Sequence, residues 1–174
     1  MQRIAIDMDD VIADAMSRFY EWYERDFQET FTEEQRFRKN IKDVIPAERW
    51  NHIVQYAHTD GFFQDLPVMP DSQRVIKELS KKYEIFIASA AMEFKTSLVH
   101  KLEWLNKNFP FINWTHIVFC GNKSIVNADY LIDDNVHHFK HFRGQGILFT
   151  APHNLIETWN SRVNNWKEVG DMLL

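Results

Sequence analysis

The sequence predicts an α/β fold: a parallel sheet flanked by helices, with a small helical insertion after the first strand. Three observations carry that expectation. Short apolar runs recur at Arg3 to Ile6, Glu84 to Ala88, His116 to Cys120, Tyr130 to Ile132 and Gly146 to Phe149. Each is brief and bounded by polar or turn residues, as strands buried on both faces are. Most are separated by stretches of helical periodicity, the alternation that builds a parallel sheet with right-handed crossovers. The stretch from Ala15 to Leu66 has another texture, with Phe19, Tyr20, Trp22, Tyr23, Phe27, Phe31, Phe37 and Trp50 set among many charges and no convincing strand.

The first run ends in Asp7-Met-Asp9-Asp10-Val-Ile-Ala-Asp14. Two carboxylates after a strand belong at its carboxyl end, where open α/β sheets keep their ligands. In extended backbone Asp7 and Asp9 share a face. Such a pair repels itself unless a cation or a shared proton relieves it. Asp also starts turns and helices, so this stretch alone leaves both readings open.

Residues 15–66 read as helices whose aromatic stripe is chiefly packing, although their place just after the acidic pair also suits a lid. Thr59-Asp-Gly61-Phe62-Phe63 reads as the return loop and Pro67 to Pro70 as the linker, which leaves residues 1–14 and 67–174 as the core. Beyond Pro70-Asp71, Val75, Ile76 and Leu79 share a helical face ahead of Lys81-Lys82. Leu98, Leu102 and Leu105 repeat the pattern before Asn108-Phe-Pro110. Trp159, Val163 and Trp166 have helical spacing, continued by Val169, Met172 and Leu173, and predict a packed terminal helix.

At 174 residues the chain suits one well-buried core. A net charge of -5 argues against a polymeric nucleic acid as partner. A small anionic substrate then needs a local cationic group, a metal ion or both. The single Cys120 excludes an intramolecular disulfide and, within Ile117-Val-Phe-Cys120, reads as buried filler. No run approaches the roughly 18 apolar residues of a membrane span, and the first apolar stretch carries acids, unlike a signal peptide. The cytoplasm is the expected location, without a membrane partner, and a homodimer through the aromatic surface stays open. His137, His138 and His141 show no zinc spacing such as His-Glu-x-x-His and read as surface or loop residues.

Three further signals fall at the ends of predicted strands. Ser89 follows Ile85-Phe-Ile-Ala88, with a hydroxyl able to hold an anionic oxygen or simply to start a turn. Lys123, in Gly121-Asn-Lys123-Ser124, is either solvated or a point charge for phosphate. Leu131-Ile132-Asp133-Asp134-Asn135 is a second acidic pair, anchored by its strand near the sheet edge.

This order of Asp-x-Asp, Ser, Lys and Asp-Asp resembles the haloacid dehalogenase (HAD) superfamily of phosphotransferases over nearly the whole chain. Closer still, Asp7 to Asp14, Gly61-Phe-Phe-Gln-Asp-Leu-Pro67, Ala128-Asp-Tyr-Leu-Ile-Asp133-Asp134, Leu148-Phe-Thr-Ala-Pro-His153-Asn154 and Trp166-Lys-Glu-Val resemble the 5'(3')-deoxyribonucleotidase family. The resemblance implies a Rossmann-like, HAD-type core with a small helical cap. It implies that Asp7 attacks phosphorus to form an aspartyl-phosphate and that Asp9 acts as acid and then base. It also implies magnesium bound by Asp7, the Asp9 carbonyl and Asp133, with Asp134 just outside the ion's ligands. Ser89 and Lys123 would hold phosphoryl oxygens.

The chain departs from the commoner pattern at Asp10, where Gly is usual, and at Ala15-Met16, near an expected aromatic. Base stacking then falls to Phe19, Phe62 or Phe63, and Lys95 stands in for a basic residue near Glu93. The expected activity is a magnesium-dependent phosphomonoesterase for (deoxy)nucleoside monophosphates. The alternatives are a phosphatase for a sugar phosphate or other small phosphometabolite, and a phospho-ligand-binding module without turnover.

Overall fold

Six parallel strands make one sheet in the computed structural model, which describes residues 1–174. They are β1 (Arg3–Ile6), β2 (Glu84–Ser89), β3 (Ile117–Phe119), β4 (Tyr130–Asp133), β5 (Gln145–Phe149) and β6 (Arg162–Val163), ordered β3-β2-β1-β4-β5-β6 across the sheet. The chain builds outward from β1 in one direction and then from β4 in the other. That reversal opens a crevice at the carboxyl ends of β1 and β4. Ile6 pairs with Ile87 on one side and Ile132 on the other, so Asp7, Ser89 and Asp133 reach the same edge.

Alternation along the strands sorts the core into two layers. Ile4, Ile6, Ile85, Ile87, Ile132 and Ile147 belong to the larger cluster, whereas Ala5, Ala88, Leu131 and Leu148 meet Phe139 and Phe142 on the other face. Three helices contribute to the larger layer: α5 (Ser72–Leu79), α6 (Ser97–Asn108) and α7 (Trp166–Leu173). They are numbered after four in the insertion, α1 (Ala15–Phe27), α2 (Glu33–Arg38), α3 (Ile41–Val44) and α4 (Trp50–Val54).

Asp14 caps α1 by accepting from Ser17 N at 2.9 Å, and α1 stops at Gln28, which is left-handed at φ 55°. A reciprocal pair between Thr32 and Gln35 starts α2. The stripe of rings closes the bundle from inside: Tyr20 meets Phe31 and Tyr23 meets Phe27, both at 4.7 Å between centroids. The segment leaves and rejoins the sheet at adjacent points. Asp14 N donates to Pro67 O at 2.8 Å and Met69 N to Ile12 O at 2.9 Å.

Three expectations need correction. Val163 is not helical: it pairs with Phe149 in β6, and Asn165 starts α7 only afterwards by accepting from Glu168 N at 3.0 Å. An Asn pair favours a cap over a helix interior, so Trp159 lies outside the helix and donates instead to Gly146 O at 2.8 Å. On α6 the buried face is Ser97, Lys101, Trp104 and Leu105, whereas Leu102 is 38% exposed. Trp104 fixes that rotation by donating its indole N–H to Leu66 O at 2.7 Å. The third strand is also shorter than its apolar run, because His116 ends a 3-10 turn.

Candidate active site

Beyond β1, Asp7 N continues the ladder by donating to Ile132 O at 2.9 Å. The chain then turns tightly, with Ile12 N and Ala13 N both donating to Met8 O at 2.9 Å. The turn places Asp10 in the left-handed region at φ 55°, which explains why glycine suits that position; Asp is one of the few side chains that tolerates it. Asp10 Oδ1 accepts from Met16 N at 2.8 Å, tying the turn to the start of α1.

Lys123 is buried, and its Nζ lies 2.5 Å from both Asp7 Oδ1 and Asp133 Oδ2. Burial pulls its amine down, but the two carboxylates outweigh burial and hold it above its usual range. Asp7 is pushed up to about 7, chiefly by burial, against the pull of Lys123. Asp133 is also buried, yet His138 and Lys123 together bring it below the ordinary carboxylate value. Its Oδ2 contacts His138 Nδ1 at 2.8 Å and its Oδ1 accepts from Asn135 N at 2.9 Å.

Asp134 has a different neighbourhood. Burial raises it, and His153, 3.0 Å away, opposes the rise; the same pairing lifts His153 to about 9 despite its own burial. Carboxylate oxygens of Asp7, Asp133 and Asp134 lie within 4.8 Å of one another, as do ligand atoms of Asp10, Asp134 and His153. The first group is all oxygen, the donor set a hard divalent cation takes. Asp9 Oδ1, close by in sequence, is buried without a hydrogen-bond partner. These residues fit magnesium. Both Asp133 oxygens are already engaged, whereas Asp134 belongs to both groups and has a side chain 13% exposed.

A residue missed in the sequence completes the site. Lys101 on α6 is 1% exposed, its Nζ 2.5 Å from Asp9 Oδ2 and 3.3 Å from Ser89 Oγ, with the Phe63 ring centroid 4.4 Å away. Its signal was a charge four residues after Ser97 and three before Trp104, on a face the leucine spacing had pointed elsewhere. Asp7, Asp9, Ser89, Lys123, Asp133 and Asp134 thus converge with Lys101 around the crevice.

The expected stacking aromatics pack against one another in the insertion. Phe62 is fully buried among Phe19, Trp22 and Phe63, with centroids 4.6, 5.3 and 4.9 Å away. Phe63 is 2% exposed and covers Lys101, so it borders the catalytic groups from the insertion side. Lys95 is exposed and joins none of these hydrogen bonds. Cys120 is half-buried rather than core filler. His138, expected as a surface or loop residue, touches Asp133.

Across residues 1–174 the chain matches the family described as 5' nucleotidase, deoxy (pyrimidine), cytosolic type C. The chain belongs to that family. It is 44% identical over 176 residues to the 5'(3')-deoxyribonucleotidase of Bacillus subtilis, covering 98% of both chains, and equally similar to the enzyme of that name from Bacillus phage SPbeta. Among solved structures it resembles a haloacid dehalogenase-like hydrolase from Streptococcus pneumoniae, with TM-score 0.58 and 12% identity over 100% of this chain and 99% of that one. A HAD-hydrolase from Bacillus subtilis, determined bound to magnesium, matches at 0.59 and 11% over 99% and 98%. At such identities the structures speak to fold alone. The chain is therefore a hydrolase of the phosphoric monoester class, on a fold shared with HAD-type hydrolases. No helix is long and apolar enough to cross a membrane.

Proposed function

We propose that this chain is a magnesium-dependent 5'(3')-deoxyribonucleotidase that hydrolyses deoxynucleoside monophosphates through an aspartyl-phosphate on Asp7. The observation that carries the reading is the buried Lys123 ammonium 2.5 Å from Asp7, beside a second carboxylate, Asp9, held 2.5 Å from Lys101. The kind of phosphate ester comes from the similarity to the Bacillus subtilis enzyme.

In the first step an Asp7 oxygen bonds to phosphorus as the bond to the ester oxygen breaks, and Asp9 passes its proton to the departing alcohol. In the second, Asp9 takes a proton from water, whose oxygen bonds to phosphorus and frees Asp7 and inorganic phosphate. Lys123 offsets charge on the phosphoryl oxygens, and Ser89 donates to one of them. Asp133 holds Lys123 in place. Magnesium, held by the Asp7 and Asp134 carboxylates and the Asp9 carbonyl, would supply further charge for the phosphoryl group. Asp134 replaces Asp133 in that set because its oxygens are the less engaged. Lys101 aims the Asp9 carboxyl. Residues 15–66 serve as the cap, reaching these groups through Phe63.

The test is phosphate release from deoxynucleoside monophosphates, ribonucleotides and sugar phosphates, with and without magnesium. Deoxynucleotides should be turned over fastest, only with the metal, and not at all by Asp7→Asn. Faster turnover of sugar phosphates, or full activity in Asp7→Asn, would overturn the proposal.

A further inference from the structure

α1 has two working faces. Phe19 and Trp22 turn toward Phe62, and Phe63 covers the Lys101 that holds Asp9. Met16, Ser17 and Tyr20 instead line a cavity of about 520 Å³, closed on its other side by Phe149, Thr150 and Trp166 and roofed by Phe37 of α2. Asp7, Asp9, Ser89, Lys101 and Lys123 take no part in its walls; the turn residue Asp10 is what it shares with the acidic cluster.

We propose that this cavity is a second binding site, for an uncharged flat heteroaromatic molecule of nucleoside size. The volume falls in the usual range for small ligands, about 300–1,000 Å³. Phe37 brings exposed aromatic surface from the insertion, the buried rings of Tyr20, Phe149 and Trp166 back the walls, and Met16 and Met69 add polarisable thioethers that adapt to a flat ring. A phosphate finds no free cation here. Asp10 and Asp14 line the cavity, and its cation, Arg36, is paired with Glu24 and lies over the Tyr20 ring. Asp10 Oδ1 accepts one backbone N–H and the Asp14 oxygens accept from Ser17, which leaves lone pairs for ring N–H or amino donors. Within the nucleotidase reading, on which this clause alone rests, the dephosphorylated nucleoside is the molecule of this class that the reaction makes.

Calorimetric titration of the intact protein with thymidine and deoxyadenosine tests the site, with turnover of an aryl phosphate measured in parallel. Saturable nucleoside binding should weaken about tenfold or more in Phe37→Ala, whose side chain is exposed, and in Met16→Trp, which fills the cavity. Aryl phosphate turnover without nucleoside should stay near the wild-type rate in both, and Asp9→Asn should bind nucleoside as the wild type does. A protein that turns over aryl phosphate but binds neither nucleoside, or binds them unchanged in both variants, overturns the inference and leaves the nucleotidase reading standing. Binding without any phosphomonoester turnover overturns that reading instead.

Discussion

Replacing Lys101 by methionine keeps the stem and its contact with Phe63 but removes the amine 2.5 Å from Asp9. Breaking a fully buried ion pair costs about 3–5 kcal/mol. The Asp9 side chain is 29% exposed, so water recovers part of that loss, and about 1–3 kcal/mol is the expected penalty. For a chain of this length that lowers the melting temperature by roughly 2–12 °C. The larger effect falls on catalysis. A positioned general acid is worth about 10²–10⁴ in rate, and an Asp9 carboxyl free to swing away from the ester oxygen loses part of it. Lys101→Met should therefore lower kcat about a hundredfold on an alkyl phosphate, whose alkoxide leaves poorly, with little change in KM. On a nitrophenyl phosphate, which leaves without a proton, the loss should be far smaller. Steady-state kinetics on the two esters at saturating magnesium reads the contrast directly. Equal losses on both, or none on either in a folded protein, would refute the role given to Lys101.

The two adjacent acids after β4 should separate in a magnesium titration: Asp134→Asn raises the metal concentration for half-maximal rate at least about tenfold, whereas Asp133→Asn chiefly raises KM for the phosphate ester by freeing Lys123. The reverse pattern returns Asp133 to the metal. Phe62→Ala should destabilise by about 3–5 kcal/mol in urea unfolding; a stable variant with a raised nucleotide KM would put that ring back in the cleft. Asp26 is held well below its ordinary 3.8 by its bond to Arg25 and then by Tyr56 and His52, burial opposing. Because the folded value is depressed, its stabilisation is complete above 3.8 and lost as pH falls below it. Asp26→Asn should flatten the acid limb of the stability curve below about pH 4, and an unchanged limb would remove Asp26 from the account.

What could be read from the sequence was what local chemistry decides. The five apolar runs are strands because a buried parallel strand needs continuous apolar residues whatever its neighbours. Asp7 and Ser89 reach the edge because register follows from those strands. β6 was missed because two residues, Arg162 and Val163, carry no periodicity, and the Trp159, Val163, Trp166 spacing imitated a helix. The choice between Asp133 and Asp134 lies beyond local pattern: carboxylate oxygens of both come close to Asp7, and what distinguishes them is their partners from other segments, Lys123 and His153. The setting of Phe62 is equally non-local, since its ring packs against Phe19 and Trp22 of a helix far earlier in the chain.

The two hydrogen bonds that join Asp14 to Pro67 and Met69 to Ile12 close the neck of residues 15–66 before any of its helices begins. Loop-closure entropy at such a neck grows only slowly with the length enclosed. A segment of quite different size can therefore be spliced between those anchor points without shifting the strand register or the carboxylates at its end. The fold thereby uncouples evolution of what is recognised from evolution of how the bond is cut.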